Sequence, residues 1–203
     1  MKNFIVSSKL KKDKFGIWSS NYDIDIQNFL SLLDIQVIPY LGFKGKISKK
    51  IKNAKGLILL GGGDLFKYHK TKENEFRDKI EKSLFKHFYN SNKPIIAICR
   101  GFQLIMDIYG IPLVKKFGHV RTKHSLKINK SRFVQYKKLI VNSYHNYIVE
   151  SVPNDFRIVS KMNDGSIEIT EHKKKKILCL MFHPERKMQS KKDITACLKK
   201  FIK

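Results

Sequence analysis

A cysteine at the junction of an apolar run and a helical pattern is the residue best placed for chemistry in this chain. Cys99 follows the apolar segment 94–98, and apolar residues then recur at helical spacing over 102–109. Ala97 and Gly101 flank Cys99 at the spacing of a Gly-x-Ser-x-Gly nucleophile elbow, with cysteine in place of serine. Such a strained turn lifts the side chain above a sheet, and the amides of the following helix stabilise negative charge beside it. The alternative is that Cys99 is a small buried apolar residue, as most free cysteines are.

A histidine and a carboxylate further along the chain favour the catalytic interpretation. A second apolar run, 177–182, leads directly into His183, and Pro184 ends that strand before Glu185. In chain order, Cys99, His183 and Glu185 would supply a nucleophile, a base and a group that orients the base. We therefore predict a cysteine-dependent acyl transfer.

The elements around these residues predict an α/β fold. Strands and helices alternate in the first half of the chain, which indicates a flavodoxin-like, doubly wound and mostly parallel central sheet flanked by helices. In such a sheet the functional site lies at the carboxyl ends of the strands. The predicted strands are 4–6, 35–39, 56–60 and 94–98, and the predicted helices are 22–33, 47–54 and 73–90.

The C-terminal half has a different pattern, with short strands separated by turn residues. Asp164-Gly165 is the strongest hairpin signal in the chain, and a helix over 191–202 closes it. We expect these additional short strands to extend the sheet and to carry loops over the site. No linker or repeat divides the sequence, so a single domain over 1–203 is expected. The short strands are 124–128, 138–141, 157–160, 166–170 and 177–182.

Five short segments, taken in this order and at these spacings, resemble the class I glutamine amidotransferase-type hydrolases, a superfamily that includes the γ-glutamyl hydrolases. The resemblance covers residues 55–187. Within the superfamily, Cys-Arg-Gly-x-Gln is more similar to the free-standing hydrolases of γ-glutamyl amides than to synthase-coupled glutaminases. The segments are Leu59–Asp64, Cys99–Gln103, Val141–His145, Asp164–Glu168 and Phe182–Arg186.

The resemblance implies roles for individual residues. The glycine run after the third strand would donate an oxyanion-hole amide from Gly62 or Gly63, with the Arg100 amide as its partner; without a family, this run indicates only a tight turn. Gln103 would contact the glutamyl group, or else lie on the solvent side of its helix. Arg186 would bind a leaving-group phosphate or pair with Glu185. The substrate-binding residues implied are Gln103, Asn142, Ser143, Tyr144, His145 and Arg186.

The function that the resemblance implies is hydrolysis of a γ-glutamyl amide through a γ-glutamyl thioester. Overall likeness favours nucleotide-linked substrates, as in the γ-glutamyl-CDP-amidate hydrolases of capsule phosphoramidate biosynthesis. The alternatives are a γ-glutamyl amine hydrolase, a glutaminase subunit with a synthase partner, or a non-catalytic basic binding protein on the same scaffold. The intact order of Cys99, His183 and Glu185 argues against the last of these.

The formal net charge of +25 is the most unusual feature of the composition. A nucleic-acid partner would explain it, but phosphate-reading surfaces favour arginine, and only six of the 42 basic residues are arginines. We favour a lysine-biased genome, although a positive field would still attract an anionic nucleotide. His119, Arg121 and His124 form a local basic cluster, expected on a solvated loop or against a substrate phosphate.

Cysteine usage and hydropathy give the remaining expectations. The three cysteines have no metal-site spacing, and the chemistry requires no cofactor, so neither a metal nor an organic cofactor is predicted. No apolar run is long enough for a membrane span, and the apolar part of the N-terminus is short for a signal peptide. We therefore expect no membrane partner and a cytoplasmic location.

Overall fold

The computed structural model describes residues 1–40, 51 and 53–203, and it centres on a seven-stranded sheet. Five neighbouring strands run parallel, and two antiparallel strands extend one edge, which confirms the mostly parallel sheet. Across the sheet the strands are β11 (Phe156–Lys161), β12 (Ile167–His172), β13 (Ile177–Leu180), β6 (Ile95–Ile98), β5 (Gly56–Leu59), β1 (Lys2–Val6) and β4 (Ile35–Pro39).

The three central strands carry the site because their carboxyl ends meet at one edge. Every residue of β5, β6 and β13 is buried, as expected for parallel strands covered on both faces. Ala97 of β6 pairs with Leu59 on one side and with Cys179 on the other. This register brings the residues that follow the three strands side by side.

Helices cover both faces of the sheet, which is the doubly wound arrangement that the sequence predicts. Apolar residues of α1 and α4 pack into one core cluster, and those of α2 and α3 pack into the other. Within the described residues, no helix combines the length and apolarity needed to cross a membrane. The predicted helix over 47–54 lies largely outside the described residues. The described helices are α1 (Ile24–Leu32), α2 (Lys72–Asn90), α3 (Arg100–Ile108) and α4 (Lys191–Phe201).

Two hairpins flank the carboxyl edge of the sheet. One pairs β8 (Val120–Lys127) with β9 (Lys138–Tyr144), both longer than the sequence predicts. The other pairs β2 (Lys9–Lys12) with β3 (Trp18–Asn21) and was not predicted, because its strands are short and mostly polar. The Asp164-Gly165 turn joins β11 to β12, as its sequence indicates. A further short pair consists of β7 (Val114–Lys115) and β10 (Tyr147–Ile148).

Candidate active site

Cys99 occupies a sharp turn between β6 and α3. Its backbone angles are φ 48° and ψ −101°, a conformation that non-glycine residues rarely adopt. The Cys99 amide donates to the carbonyl of Leu180 in the neighbouring strand, at 2.7 Å. A Cβ at Gly101 would lie 2.5 Å from the carbonyl oxygen of Leu59, so only glycine lets α3 start this close to β5. The turn therefore has the geometry that the elbow spacing predicts.

His183 follows β13 and is held from two directions. Its Nδ1 lies 2.6 Å from Oε1 of Glu185, and both side chains are buried. The amide of Asn142 clamps the backbone of His183: Oδ1 accepts from its N–H and Nδ2 donates to its carbonyl, each at 2.8 Å. Since the Glu185 carboxylate accepts a hydrogen bond from the protonated Nδ1, the lone pair of the neutral ring lies on Nε2, which can act as a base.

Gly61 lies between Cys99 and His183, and because it has no side chain the two residues can approach each other. A Cβ at this position would lie 2.5 Å from Cε1 of His183 and 3.3 Å from Cβ of Cys99. Burial lowers the pKa of His183, but the neighbouring Cys99 and Glu185 outweigh it and raise that pKa to about 9. A thiol beside an imidazole that favours its charged form is the arrangement of an activated cysteine nucleophile.

The glycine loop after β5 is held by a buried arginine that the sequence analysis missed. Arg77 of α2 donates to three successive carbonyls, those of Leu60, Gly61 and Gly62, at 2.8, 3.1 and 2.6 Å. Gly62 and Gly63 both have positive φ, 88° and 73°. The carbonyls of this loop are thus held by Arg77, and Gly62 and Gly63 line the cleft beside Cys99.

A network of buried charges links this loop to the elbow. Arg77 also donates from Nε to Glu81 at 2.9 Å, and Arg100, the residue after the cysteine, forms ion pairs with Glu81 and Asp78. Burial raises the pKa of Glu81, but Arg100 and Arg77 outweigh it and hold that pKa below its usual value. Burial lowers the pKa of Arg77 to about 10. The sequence does not indicate that these charges are buried. Arg77 and Glu81 have the i,i+4 spacing of an ordinary ion pair on the surface of a helix.

A cleft of about 220 Å³ opens above Cys99 and His183. The guanidinium of Arg186 stacks on the ring of Tyr144 at 4.5 Å, and Arg186 forms no ion pair with Glu185. Predicted residues that line the cleft are Gly62, Gly63, Cys99, Gln103, Tyr144, His145, His183 and Arg186.

Three predicted substrate-binding residues use their side chains within the protein. Asn142 holds His183, and the Ser143 hydroxyl donates to the carbonyl of His119 at 2.6 Å; neither residue lines the cleft. Gln103 is 4% exposed, so its placement on the solvent side of α3 is wrong. Its amide donates to the carbonyl of Tyr147 at 3.0 Å.

The prediction that His119, Arg121 and His124 lie on a solvated loop is wrong for the two histidines. Arg121 is exposed, but His119 and His124 are buried, and both face His145 and Glu168. These four residues lie on separate strands and turns, so their spacing in the sequence gives no signal. They form the one group in the described part of the chain that could hold a metal ion.

Comparisons with known proteins agree with this fold. The model for glutamine amidotransferase class-I matches residues 26–202. The γ-glutamyl-CDP-amidate hydrolase of Campylobacter jejuni is 30% identical over 132 residues, 65% of this chain and 62% of that protein. The carbamoyl phosphate synthase small chain of Helicobacter hepaticus is 31% identical over 159 residues, 75% of this chain and 38% of that protein. The chain thus spans less than two thirds of either relative.

A solved structure has the same fold over nearly the whole chain. The crystal structure of a glutamine amidotransferase from Thermotoga maritima has a TM-score of 0.75, and the alignment covers 99% of this chain and 96% of that one. At 14% sequence identity, this likeness concerns the fold alone.

The contact between Cys99 and His183 predicts a measurable pKa change. We expect Cys99→Ala to lower the pKa of His183 from its value of about 9, because the variant loses the sulfur whose contact favours the imidazolium. NMR titration of the imidazole nitrogens measures this value directly. Cys197→Ala, a control in α4, should leave the pKa of His183 unchanged. An unchanged value in Cys99→Ala would show that the thiol and the imidazole are not coupled.

The charge network predicts a large loss of stability on neutralising one carboxylate. Glu81→Gln leaves Arg77 and Arg100 buried without their shared partner, so we expect the free energy of unfolding to fall by about 3–5 kcal/mol. Because the pKa of Glu81 is depressed, this contribution is present above its usual pKa and is lost as pH falls through the depressed value. Urea denaturation at several pH values measures both effects.

The control for this measurement lies on the same helix. Glu75 pairs with Lys79 at the surface with the same i,i+4 spacing, so Glu75→Gln should change stability by less than about 0.5 kcal/mol. Equal effects of the two substitutions would contradict a structural role for the buried network.

Proposed function

The chain belongs to the class I glutamine amidotransferase family, and from that premise we propose that it hydrolyses a γ-glutamyl amide through Cys99. The observation that carries this proposal is the strained Cys99 beside His183, whose imidazole is paired with Glu185. Family members act on glutamine amide bonds. The arrangement of Cys99, His183 and Glu185 fits nucleophilic attack on the carbonyl carbon of such an amide.

The first step forms a γ-glutamyl thioester. The Cys99 thiolate attacks the γ-carbonyl carbon, and the amides of Gly62 or Gly63 and of Arg100 bind the oxyanion. The carbon–nitrogen bond then breaks as protonated His183 gives its proton to the leaving nitrogen. Glu185 keeps the imidazole in the orientation and tautomer that this transfer needs.

The second step releases glutamate. His183, now neutral, takes a proton from water, which attacks the thioester carbonyl, and the carbon–sulfur bond breaks to regenerate the Cys99 thiolate beside protonated His183. The same two amides stabilise the second tetrahedral intermediate. The products are glutamate and the amine or amidate that carried the glutamyl group.

We propose γ-glutamyl-CDP-amidate as the substrate. The γ-glutamyl-CDP-amidate hydrolase of Campylobacter jejuni, which is 30% identical to this chain over 132 residues, supports this choice. Arg186 stacks on Tyr144 at the cleft, and its planar guanidinium suits a diphosphate leaving group. The net charge of +25 would attract such an anion.

A glutaminase subunit is the second candidate. Its support is the likeness to the carbamoyl phosphate synthase small chain of Helicobacter hepaticus. In that case the chain would release ammonia from glutamine to a synthase partner, using the same Cys99 chemistry.

Glutamate release by the isolated protein separates the two candidates. We expect turnover of γ-glutamyl-CDP-amidate to exceed that of glutamine by at least about 100-fold in kcat/KM. Cys99→Ala should lower kcat by at least about 10³-fold, because the nucleophile is removed. Arg186→Gln should raise KM for the nucleotide by about tenfold and leave glutamine turnover unchanged.

Cys197→Ala is the control and should keep the activity of the unsubstituted protein. Release from neither substrate would contradict the free-standing hydrolase. Glutamine turnover that appears only with a partner protein would establish the second candidate. Activity that survives Cys99→Ala would exclude both.

A further inference from the structure

Three histidines and a glutamate form a buried cluster beside the cleft that the hydrolytic mechanism does not use. His119 precedes β8, His124 lies within it, His145 follows β9 and Glu168 lies in β12. All four are buried, and their potential ligand atoms lie within 4.8 Å of one another. Nδ1 of His124 and Nε2 of His145 lie 3.1 and 3.6 Å from the same oxygen of Glu168.

The outer ring nitrogens fix which tautomer each histidine adopts. His119 Nε2 lies 2.8 Å from the carboxylate of Asp164, and His145 Nδ1 lies 3.1 Å from the carbonyl of Tyr147. Both oxygens only accept, so these nitrogens carry the protons. His124 Nε2 lies 3.5 Å from the Thr122 hydroxyl, which donates to the Gly118 carbonyl, so a proton on this nitrogen also faces an acceptor.

The inner atoms of the cluster are consequently all acceptors. In these tautomers Nδ1 of His119, Nδ1 of His124 and Nε2 of His145 bear lone pairs, and they converge on the carboxylate of Glu168. These atoms and both oxygens of Glu168 are buried without a hydrogen-bond partner among the described residues, and the short His124–Glu168 contact lacks hydrogen-bond geometry. Buried acceptors that face one another are unfavourable unless a proton or a metal cation lies between them, and three nitrogens and a carboxylate around one point suit a metal cation.

We propose that His119, His124, His145 and Glu168 form a structural zinc site. Three imidazoles and one carboxylate are a ligand set that zinc accepts in tetrahedral geometry. Metal–ligand distances of about 2.0–2.2 Å place tetrahedral ligand atoms about 3.3–3.6 Å apart, so the contacts of 3.1 and 3.6 Å are already near this value.

The outer hydrogen bonds match those of known metal sites. A histidine that binds a metal usually donates its other N–H to a carboxylate or a backbone carbonyl, as His119 and His145 do here. A surface cavity of about 520 Å³ reaches His119 and His124 and gives the ion a path inward. With four protein ligands the site is closed, which indicates a structural rather than a catalytic zinc.

The position of the site gives the metal a role in shaping the cleft. His145 directly follows the strand that carries Asn142, which holds His183, and the Tyr147 carbonyl joins His145 to Gln103 of α3. A zinc ion would thus fix β8, β9 and β12 to one another next to the cleft. This proposal does not depend on which γ-glutamyl amide the protein cleaves.

Metal content is the direct test. The full chain, freed of any affinity tag and purified without chelator, should contain about one zinc per chain by inductively coupled plasma mass spectrometry. We expect the zinc content to fall below about one tenth of an ion per chain in His124→Gln and in Glu168→Gln. His69→Gln, which alters an exposed histidine, is the matched control and should keep the full zinc content.

A second measurement on the unsubstituted protein keeps the test independent of how the variants fold. After removal of metal with a chelator, one equivalent of zinc should bind, and excess zinc should raise the melting temperature by roughly 5–10 °C. Magnesium should have no such effect, and cobalt should give the visible absorption of a tetrahedral site. Zinc below about one tenth per chain with no thermal shift, or full zinc content in a folded Glu168→Gln, would overturn the proposal.

Discussion

The structure depends on one close approach, in which a cysteine at φ 48° lies beside a histidine across the carboxyl ends of three parallel strands. This geometry requires glycine at two positions. A side chain at Gly101 would collide with the Leu59 carbonyl, and one at Gly61 would collide with the ring of His183. The strained backbone of Cys99 persists because buried strands on both sides fix the turn from which it projects.

The buried charges form the second part of the same arrangement. Arg77 holds the glycine loop, Arg100 belongs to the elbow helix, and Glu81 lies between them. Burying such ions is unfavourable in itself, and fully paired networks of this kind stabilise less than apolar packing does. Their value lies in position, because they connect the glycine loop to the helix that follows Cys99. The site is thus held by polar contacts on one side and by the packed sheet on the other.

Much of this architecture follows from local patterns in the sequence, whereas the contacts between residues far apart in the sequence could not be predicted. The apolar runs before Cys99 and His183 predicted buried strands, and the alternation in the first half predicted a parallel sheet with its site at the carboxyl ends. The place of β13 inside the sheet, parallel to β6, was not predicted. Nothing in the sequence near Arg77 or Glu168 indicates that these charges are buried. The histidine cluster combines residues in or next to β8, β9 and β12, and their proximity depends on tertiary packing. For the same reason the side chain of Asn142 could not be predicted to hold His183 rather than a substrate.

The covalent intermediate is the most direct test of the central claim that Cys99 is the nucleophile. The protein would be mixed rapidly with γ-glutamyl-CDP-amidate, quenched in acid and analysed by intact mass and peptide mapping. The account predicts an adduct of one glutamyl group on the peptide that contains Cys99, and none on those with Cys179 or Cys197. A glutamyl adduct on any other residue would contradict it.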